Sequence, residues 1–569
     1  MMTRIFTIMG LFLSLSTGLY ADGARKSIAP GSPAAGQIAT VGAEAPDARA
    51  ASLSPSSSSV CTGPSVVRVY RSDCATPQTG HAAEAAAAVR EYRLEHERDI
   101  MREFREFLAI PNIASDRPNI TRNAERLKEM LRARGIQPQT LEIPGRGPVI
   151  FAEIAPRVSN HAVIFYAHYD GQPVDPAVWI GNKPFEPVLF TGALAAGAKQ
   201  IPFPEAGMRY EDDWRIYARS ASDDKAAIVG ILTALDALNA KHIPLRETVK
   251  LLFEGEEEAG SQHLEEIVNA HRELMGSDLL LVCDGPSDQS GRPQVTFGNR
   301  GVLGAELTVY GPARALHSGH YGNWAPNPAM RLAQLLASMV DAQGRVLVAG
   351  FYDEVVPFGA LERKAIEEAP QNEAALEREL GIGQPDGGGK RLVELLALPS
   401  LNVRGIRSAY VGEQSQNVVP ERAVASLDLR LVKNIAPEKQ FARLKAHIGK
   451  QGYTVFDREP TLEERAKYPR VARLEYEGGY PAVRTPMDLP VAVAVLRAVG
   501  EATGERPVAL PILGGSVPMY IFENLGMPVI GVPIANYDNS QHSTNENIRL
   551  GNFWRGIDTY GGLMAGLEW

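Results

Sequence analysis

The chain has 569 residues, 44% of them hydrophobic and 22% charged, which is enough apolar mass for several structured units and excludes disorder throughout. Its 58 lysines and arginines against 67 acidic residues leave a formal charge of -9 with no long basic run, so the electrostatic footprint of a nucleic-acid binder is missing. Three cysteines are too few for a disulfide scaffold, and beyond the N-terminus no stretch of about 18 apolar residues suggests a membrane span.

Residues 1–21 set Arg4 ahead of an apolar run, 5–15, and a small-residue segment ending at Ala21, the layout of a secretory signal peptide. A secreted or periplasmic protein is the expectation. Residues 22–80, dominated by Ala, Ser, Pro and Gly, read as a disordered linker in which Cys61 and Cys74 either close a local disulfide or stay as thiols. From 81 to 109 the positions Val89, Tyr92, Ile100, Met101, Phe104 and Phe107 have mostly helical spacing, and a second helix is expected at 122–134.

Short apolar runs at 163–167, 249–253, 279–282, 508–512 and 529–532, interleaved with helices such as 225–240, predict an α/β domain around a largely parallel sheet. Cys283 ends one of these runs and reads as a small buried hydrophobe. After 304 the texture becomes strand 305–310, helix 328–340, strands 401–403 and 423–432, and helix 438–451, which predicts an inserted α+β unit. The organisation expected is 81–303 and 483–569 for the first domain and 304–482 for the insert. The charged segment 354–390 reads as a decoration of that insert.

Strand 163–167 runs into His168-Tyr169-Asp170, and a period of two puts the histidine and the carboxylate on one face. A carboxylate there can hold the second ring nitrogen of a metal-ligating histidine. Ser222-Asp223-Asp224-Lys225 opens the helix at 225–240; one acidic residue suffices as N-cap, which leaves a second free to bridge two cations. Strand 249–253 ends in Glu254-Gly255-Glu256-Glu257-Glu258, four glutamates in five positions whose mutual repulsion calls for something positive. Asp284 follows strand 279–282, and His542 lies in a polar segment near the C-terminus. Together, His168, Asp223, one of Glu257 or Glu258, Asp284 and His542 make a mixed nitrogen and oxygen set without thiolate, suited to zinc, with manganese or cobalt as alternatives. Ligand sites of open α/β sheets lie at such strand ends.

In this order Ala167-His168-Tyr169-Asp170, Ser222-Asp223-Asp224-Lys225 and Glu254-Gly255-Glu256-Glu257-Glu258-Ala259-Gly260-Ser261 resemble the dinuclear metallopeptidases that include carnosinase, carboxypeptidase G, aminoacylase and succinyl-diaminopimelate desuccinylase, over about residues 90–569. Ala315-Leu316-His317-Ser318-Gly319 and Asn417-Val418-Val419-Pro420 are similar to the carnosinase-like dipeptidase branch. The resemblance implies a mixed, largely parallel sheet sandwiched by helices, with an inserted ferredoxin-like domain that serves as lid and dimerisation surface. It implies two divalent metal ions, Asp223 bridging them, His168 and Asp284 completing one site, and Glu258 and His542 the other. Asp170 supports His168 in this scheme, and Glu257 is the general base in hydrolysis of the amide bond of small peptides. His317, contributed across a homodimer, and Asn417, Arg430, Gly515 and Ser516 match substrate-holding positions. An amidohydrolase of N-acyl amino acids, or a non-catalytic peptide- or metal-binding protein, are the alternatives. Neither a Gly-x-Ser-x-Gly elbow nor a phosphate-cradling Gly-x-x-x-x-Gly-Lys-Ser/Thr loop occurs.

Overall fold

The apolar runs pair because both of their faces are covered. In the computed structural model, which describes residues 80–143, 147–154, 160–205 and 207–569, Thr248–Glu254 is buried at every position and Ala162–His168 at all but its first. The expected signal peptide, the linker and the Cys61 and Cys74 pair lie outside the described residues. The main sheet has eight strands in the order Gln139–Leu141, Val149–Ile154, Thr248–Glu254, Ala162–His168, Leu279–Val282, Val529–Gly531, Gln294–Thr296 and Val508–Leu510. Ala162–His168 runs parallel to both neighbours, and Val529–Gly531 runs parallel to Leu279–Val282, whereas Val149–Ile154 adds the antiparallel side.

Alternation along these strands splits the core in two. Phe165, Leu251 and Leu281 face helices His81–Leu108, Lys225–Ala240, Pro490–Thr503 and Leu550–Gly566, through Phe104, Ile228, Leu232, Val495 and Tyr560 among others. Ile164, Tyr166, Leu252 and Leu280 face the opposite layer, with Leu264, Ile267 and Phe522. Each such side chain removed from water contributes about 1.5–3 kcal/mol before entropy is charged against it. The second helix starts earlier than its apolar spacing suggested, at Arg117, because Asp116 caps it by accepting from the Asn119 N–H and Pro118 sits in its first turn.

A second sheet orders Ser400–Arg407, Arg422–Leu431, Gly301–Tyr310, Val471–Tyr480 and Thr454–Phe456, antiparallel except for the last pair. Its four long strands, with helices Pro328–Ala337 and Pro437–Lys450, follow the β-α-β-β-α-β connectivity of a ferredoxin-like unit around a core of its own. The chain enters and leaves it through a two-stranded ribbon, Gly298–Asn299 against Val483–Arg484.

Segment 354–390 departs from its expected place. Val355 and Phe358 do pack on the second core. Beyond them, Ala369 buries against Val508 and Leu510 with the partly buried Val393 beside it, and Arg506 pairs with Glu368, so the helix Ala360–Glu368 covers the edge strand of the main sheet. An uncovered edge presents unpaired backbone groups and apolar side chains, which such a cover removes from solvent. No helix among the described residues is long and apolar enough to cross a membrane.

Candidate active site

Three adjacent parallel strands deliver the chemistry at one end. His168 closes the central strand in register with Glu254, and Asp284 stands two residues past Val282 on the other neighbour. The turn after Glu254 can fold back only because residue 255 is glycine: a Cβ there would lie 2.4 Å from the Tyr169 hydroxyl oxygen. Asp223 comes from the loop before helix Lys225–Ala240, and His542 from the loop preceding strand Asn547–Arg549.

These five residues converge on a shared carboxylate. Asp223 Oδ1 lies 2.9 Å from His168 Nε2, and Asp223 Oδ2 lies 3.2 Å from His542 Nε2, which is itself 3.1 Å from Glu258 Oε2. Ligand atoms of His168, Asp223 and Asp284 lie within 4.8 Å of one another, as do those of Asp223, Glu258 and His542. Glu257 Oε2 approaches His168 Nε2 at 3.8 Å without belonging to either set. Asp170 is fully buried beneath them: it lies 3.4 Å from His168 Nδ1, and its two oxygens accept from the backbone N–H groups of Glu257 (3.1 Å) and Glu258 (2.9 Å).

Burial and like charge dominate the electrostatics. Burial, together with the Asp223 carboxylate, pushes Asp284 up to about 7, and burial pushes Glu257 well above the carboxylate range, with Asp284 and Glu258 adding to it against the His168 ring. Burial opposes ionisation of Asp223, yet the hydrogen bonds from His168 and His542 hold it below its ordinary value. His542 is drawn up to about 11 by its hydrogen bonds to Asp223 and Glu258, a gauge of how strongly this cluster demands positive charge. Among the described residues its ion-pair partners are two imidazoles. Crowded carboxylates with imidazole nitrogens and no thiolate form a donor set that fits a pair of divalent cations.

The extra glutamate is accounted for. Glu256 turns away and accepts from Arg117 Nη2 (2.5 Å), His263 Nδ1 (2.7 Å) and the Gly147 N–H (3.0 Å). Asp224, expected to cap its helix if Asp223 did not, makes no side-chain cap; its carboxylate accepts from the His168 N–H at 3.2 Å. The remaining expected residues fall into two groups. Arg430 Nη1 donates to Ser516 Oγ at 2.8 Å, beside Gly515, whose carbonyl accepts from the Arg300 N–H. His317 and Asn417 sit together on the ribbon Leu316–His317 with Val418–Val419, both exposed, and no hydrogen bond or ion pair joins them to the five-residue cluster among the described residues. Residue-by-residue inference passed over Gln172, which donates to Glu258 Oε2 at 2.7 Å, and Glu254, which accepts from the Tyr166 hydroxyl at 2.6 Å and is pushed up to about 7 by burial. Glu254 carried a signal in the four-glutamate run; Gln172 carried none.

A core of parallel strands with such a cluster at its carboxyl ends defines an α/β metallohydrolase. The chain belongs to peptidase family M20/M25/M40, whose sequence profile matches residues 164–565. It is a metallopeptidase, a hydrolase acting on peptide bonds. It is 29% identical to the human Beta-Ala-His dipeptidase over 436 residues, 74% of this chain and 77% of that protein, and 26% identical to the Cys-Gly metallodipeptidase DUG1 of Candida albicans over 80% and 92%. The structure of an M20 family metallo-carboxypeptidase, Sso-CP2 from Sulfolobus solfataricus, matches with a TM-score of 0.69 at 31% identity, covering 82% of this chain and 99% of that one. The expected secreted or periplasmic location is withdrawn: the relatives matched, among them the DUG1 enzymes of three yeasts, give it no support, and the leader that suggested export lies outside the described residues.

Proposed function

We propose that the protein is a metal-dependent dipeptidase that hydrolyses the amide bond of small peptides. The observation that carries this reading is the sharing of Asp223 between two donor sets, one with His168 and Asp284 and one with Glu258 and His542. Held by these residues, two divalent cations, zinc in the first instance, would supply Lewis acidity and lower the pKa of water toward about 7. Glu257, outside both sets, takes the proton of the attacking water and returns it to the leaving amine; burial raises its pKa, which favours accepting that proton. Asp170 holds the His168 ring and, through its two backbone bonds, the Glu257–Glu258 turn.

Arg430, with Ser516 and Gly515, offers a guanidinium and a hydroxyl to the carboxylate end of a peptide, a pairing for which the planar guanidinium is matched. Asn417 and His317 serve a substrate bound to the partner subunit, His317 as donor to the developing oxyanion. A homodimer through the insert, residues 304–482, is supported by the edge strand Ser400–Arg407 and by exposed Ile406, Tyr410 and Val411 on it and just past it. The test is hydrolysis of a panel of dipeptides against N-acetyl amino acids by protein stripped with chelator and reloaded with zinc, manganese or cobalt. Cleavage of dipeptides that needs the added metal is the expected result. Turnover of N-acetyl amino acids alone would replace the reading with an amidohydrolase, and no turnover of either would remove it.

A further inference from the structure

Glu546 is a buried carboxylate that the chemistry above does not use. It is fully inaccessible, and five donors converge on it. Oε2 accepts from Arg219 Nη1 (2.8 Å) and the Ser220 N–H (2.9 Å); Oε1 accepts from the Ser222 N–H (2.9 Å), Ser222 Oγ (3.0 Å) and the Asp223 N–H (3.0 Å). A carboxylate offers about four acceptor sites, so this one is saturated. Every donor belongs to the loop that presents Asp223. Arg219, itself buried, also donates through Nη2 to the Ser543 carbonyl, next to His542.

We infer that Glu546 is a positioning residue that locks the Asp223 loop to the His542 loop, and thereby builds the Asp223–Glu258–His542 cation set. Two strained segments face each other across it. Ser220 has φ 61° in one, and Ser540, His542 and Asn545 have φ between 57° and 60° in the other, a region that L residues rarely occupy. Such conformations persist only where neighbouring bonds over-determine them, and the Glu546 carboxylate with Arg219 supplies those bonds. Glu546 is itself placed by the strand that follows, where Asn547 pairs with Tyr217, and its carbonyl accepts from the Ala218 N–H. Two of the three donors of the second set, Asp223 and His542, therefore hang from one carboxylate, whereas the first set depends on it through Asp223 alone.

This inference rests on the two-cation reading and predicts an asymmetry that a general structural role does not. The experiment titrates metal-free full-length protein with Co2+, followed by calorimetry and by the visible absorption of the bound ion, with thermal unfolding of the same metal-free samples. In Glu546→Gln one cation binds about 10-fold to 100-fold more weakly, the range expected on loss of a group that orients a metal ligand, and the other, which depends on Glu546 through Asp223 alone, loses less. Asp558→Asn, which breaks a buried carboxylate's pairing with Arg90 and Arg93 in the helical layer, lowers the melting temperature and leaves both affinities alone. If Glu546→Gln does not fold, Glu546→Asp keeps the charge, shortens the reach and gives the same selective weakening. Wild-type affinity at both positions in the Glu546 variants, or equal weakening of both, overturns the inference. A wild type that takes up fewer than two cations overturns the two-cation reading and the inference with it.

Discussion

Glu257 and Glu256 are neighbours of one chemical type, and their fates differ through what they touch. Glu256 is neutralised by Arg117 and His263, while Glu257 has only the His168 ring at 3.8 Å and carboxylates otherwise. Replacing Glu257 by Gln keeps the shape and removes the base, so kcat falls about 100-fold to 10,000-fold with KM and bound metal nearly unchanged. Loss of metal from that variant would mean that Glu257 is a ligand and Glu258 the base. Glu254 makes a prediction about pH. Burial lifts it from 4.5 to about 7 in the folded protein, despite the hydrogen bond from Tyr166, so between those values the folded chain holds a proton that the unfolded chain has released. Stability of the metal-free protein accordingly declines as pH rises through that window and levels off above it. Melting curves of chelator-treated protein at pH 5 and 8 should show a smaller drop for Glu254→Gln than for wild type; an equal drop would clear Glu254 of the effect.

Helix Lys225–Ala240 joins the site to the core. Its first residue lies two positions past Asp223, and its side chains are buried almost throughout, so any movement of the helix moves the shared carboxylate. Leu232, fully buried among the main core residues, is the place to test this. Leu232→Ala removes packing worth about 2–5 kcal/mol, measured by chemical denaturation. The variant that still folds should bind metal less tightly than a variant of similar cost in the second core, such as Leu427→Ala. Equal metal affinity in the two would uncouple helix packing from the site. Five strands of the main sheet and this helix were legible in the sequence because their apolar runs are continuous. The small sheet Val188–Phe190, Gln200–Ile201, Arg215–Tyr217 and Asn547–Arg549 was not, since strands of two or three residues are too short to show a period. Val471–Tyr480 escaped for another reason: it is exposed over much of its length and carries two glycines.

For the whole molecule, the second sheet leaves Ser400–Arg407 with one paired side, and Val411 nearby is 88% exposed. An apolar side chain so open beside a free strand edge fits a second copy of the chain. Val411→Glu should turn a dimer into monomers in sedimentation experiments and reduce turnover sharply, because His317 would no longer reach a neighbouring site. Mixed dimers of His317→Ala with Asp223→Asn should regain part of the activity that each variant lacks alone. A wild type that sediments as a monomer at full activity would sink both expectations.

The sequence by itself determined the ligand types, their order and their attachment to strand ends, because apolar periodicity and charged turns are local properties. It also determined the class of chemistry, through a nitrogen and oxygen donor set without thiolate. Only the tertiary structure decided which glutamate of the run faces the cluster, that Asp224 braces the His168 backbone instead of capping its helix, and that residues 360–369 cover the main sheet's edge. It alone revealed Glu546, 323 positions from Asp223, as the carboxylate between the Asp223 and His542 loops. Those outcomes depend on contacts between residues hundreds of positions apart, and burial, not spacing along the chain, sets the charge and hydrogen-bond partners of each group there.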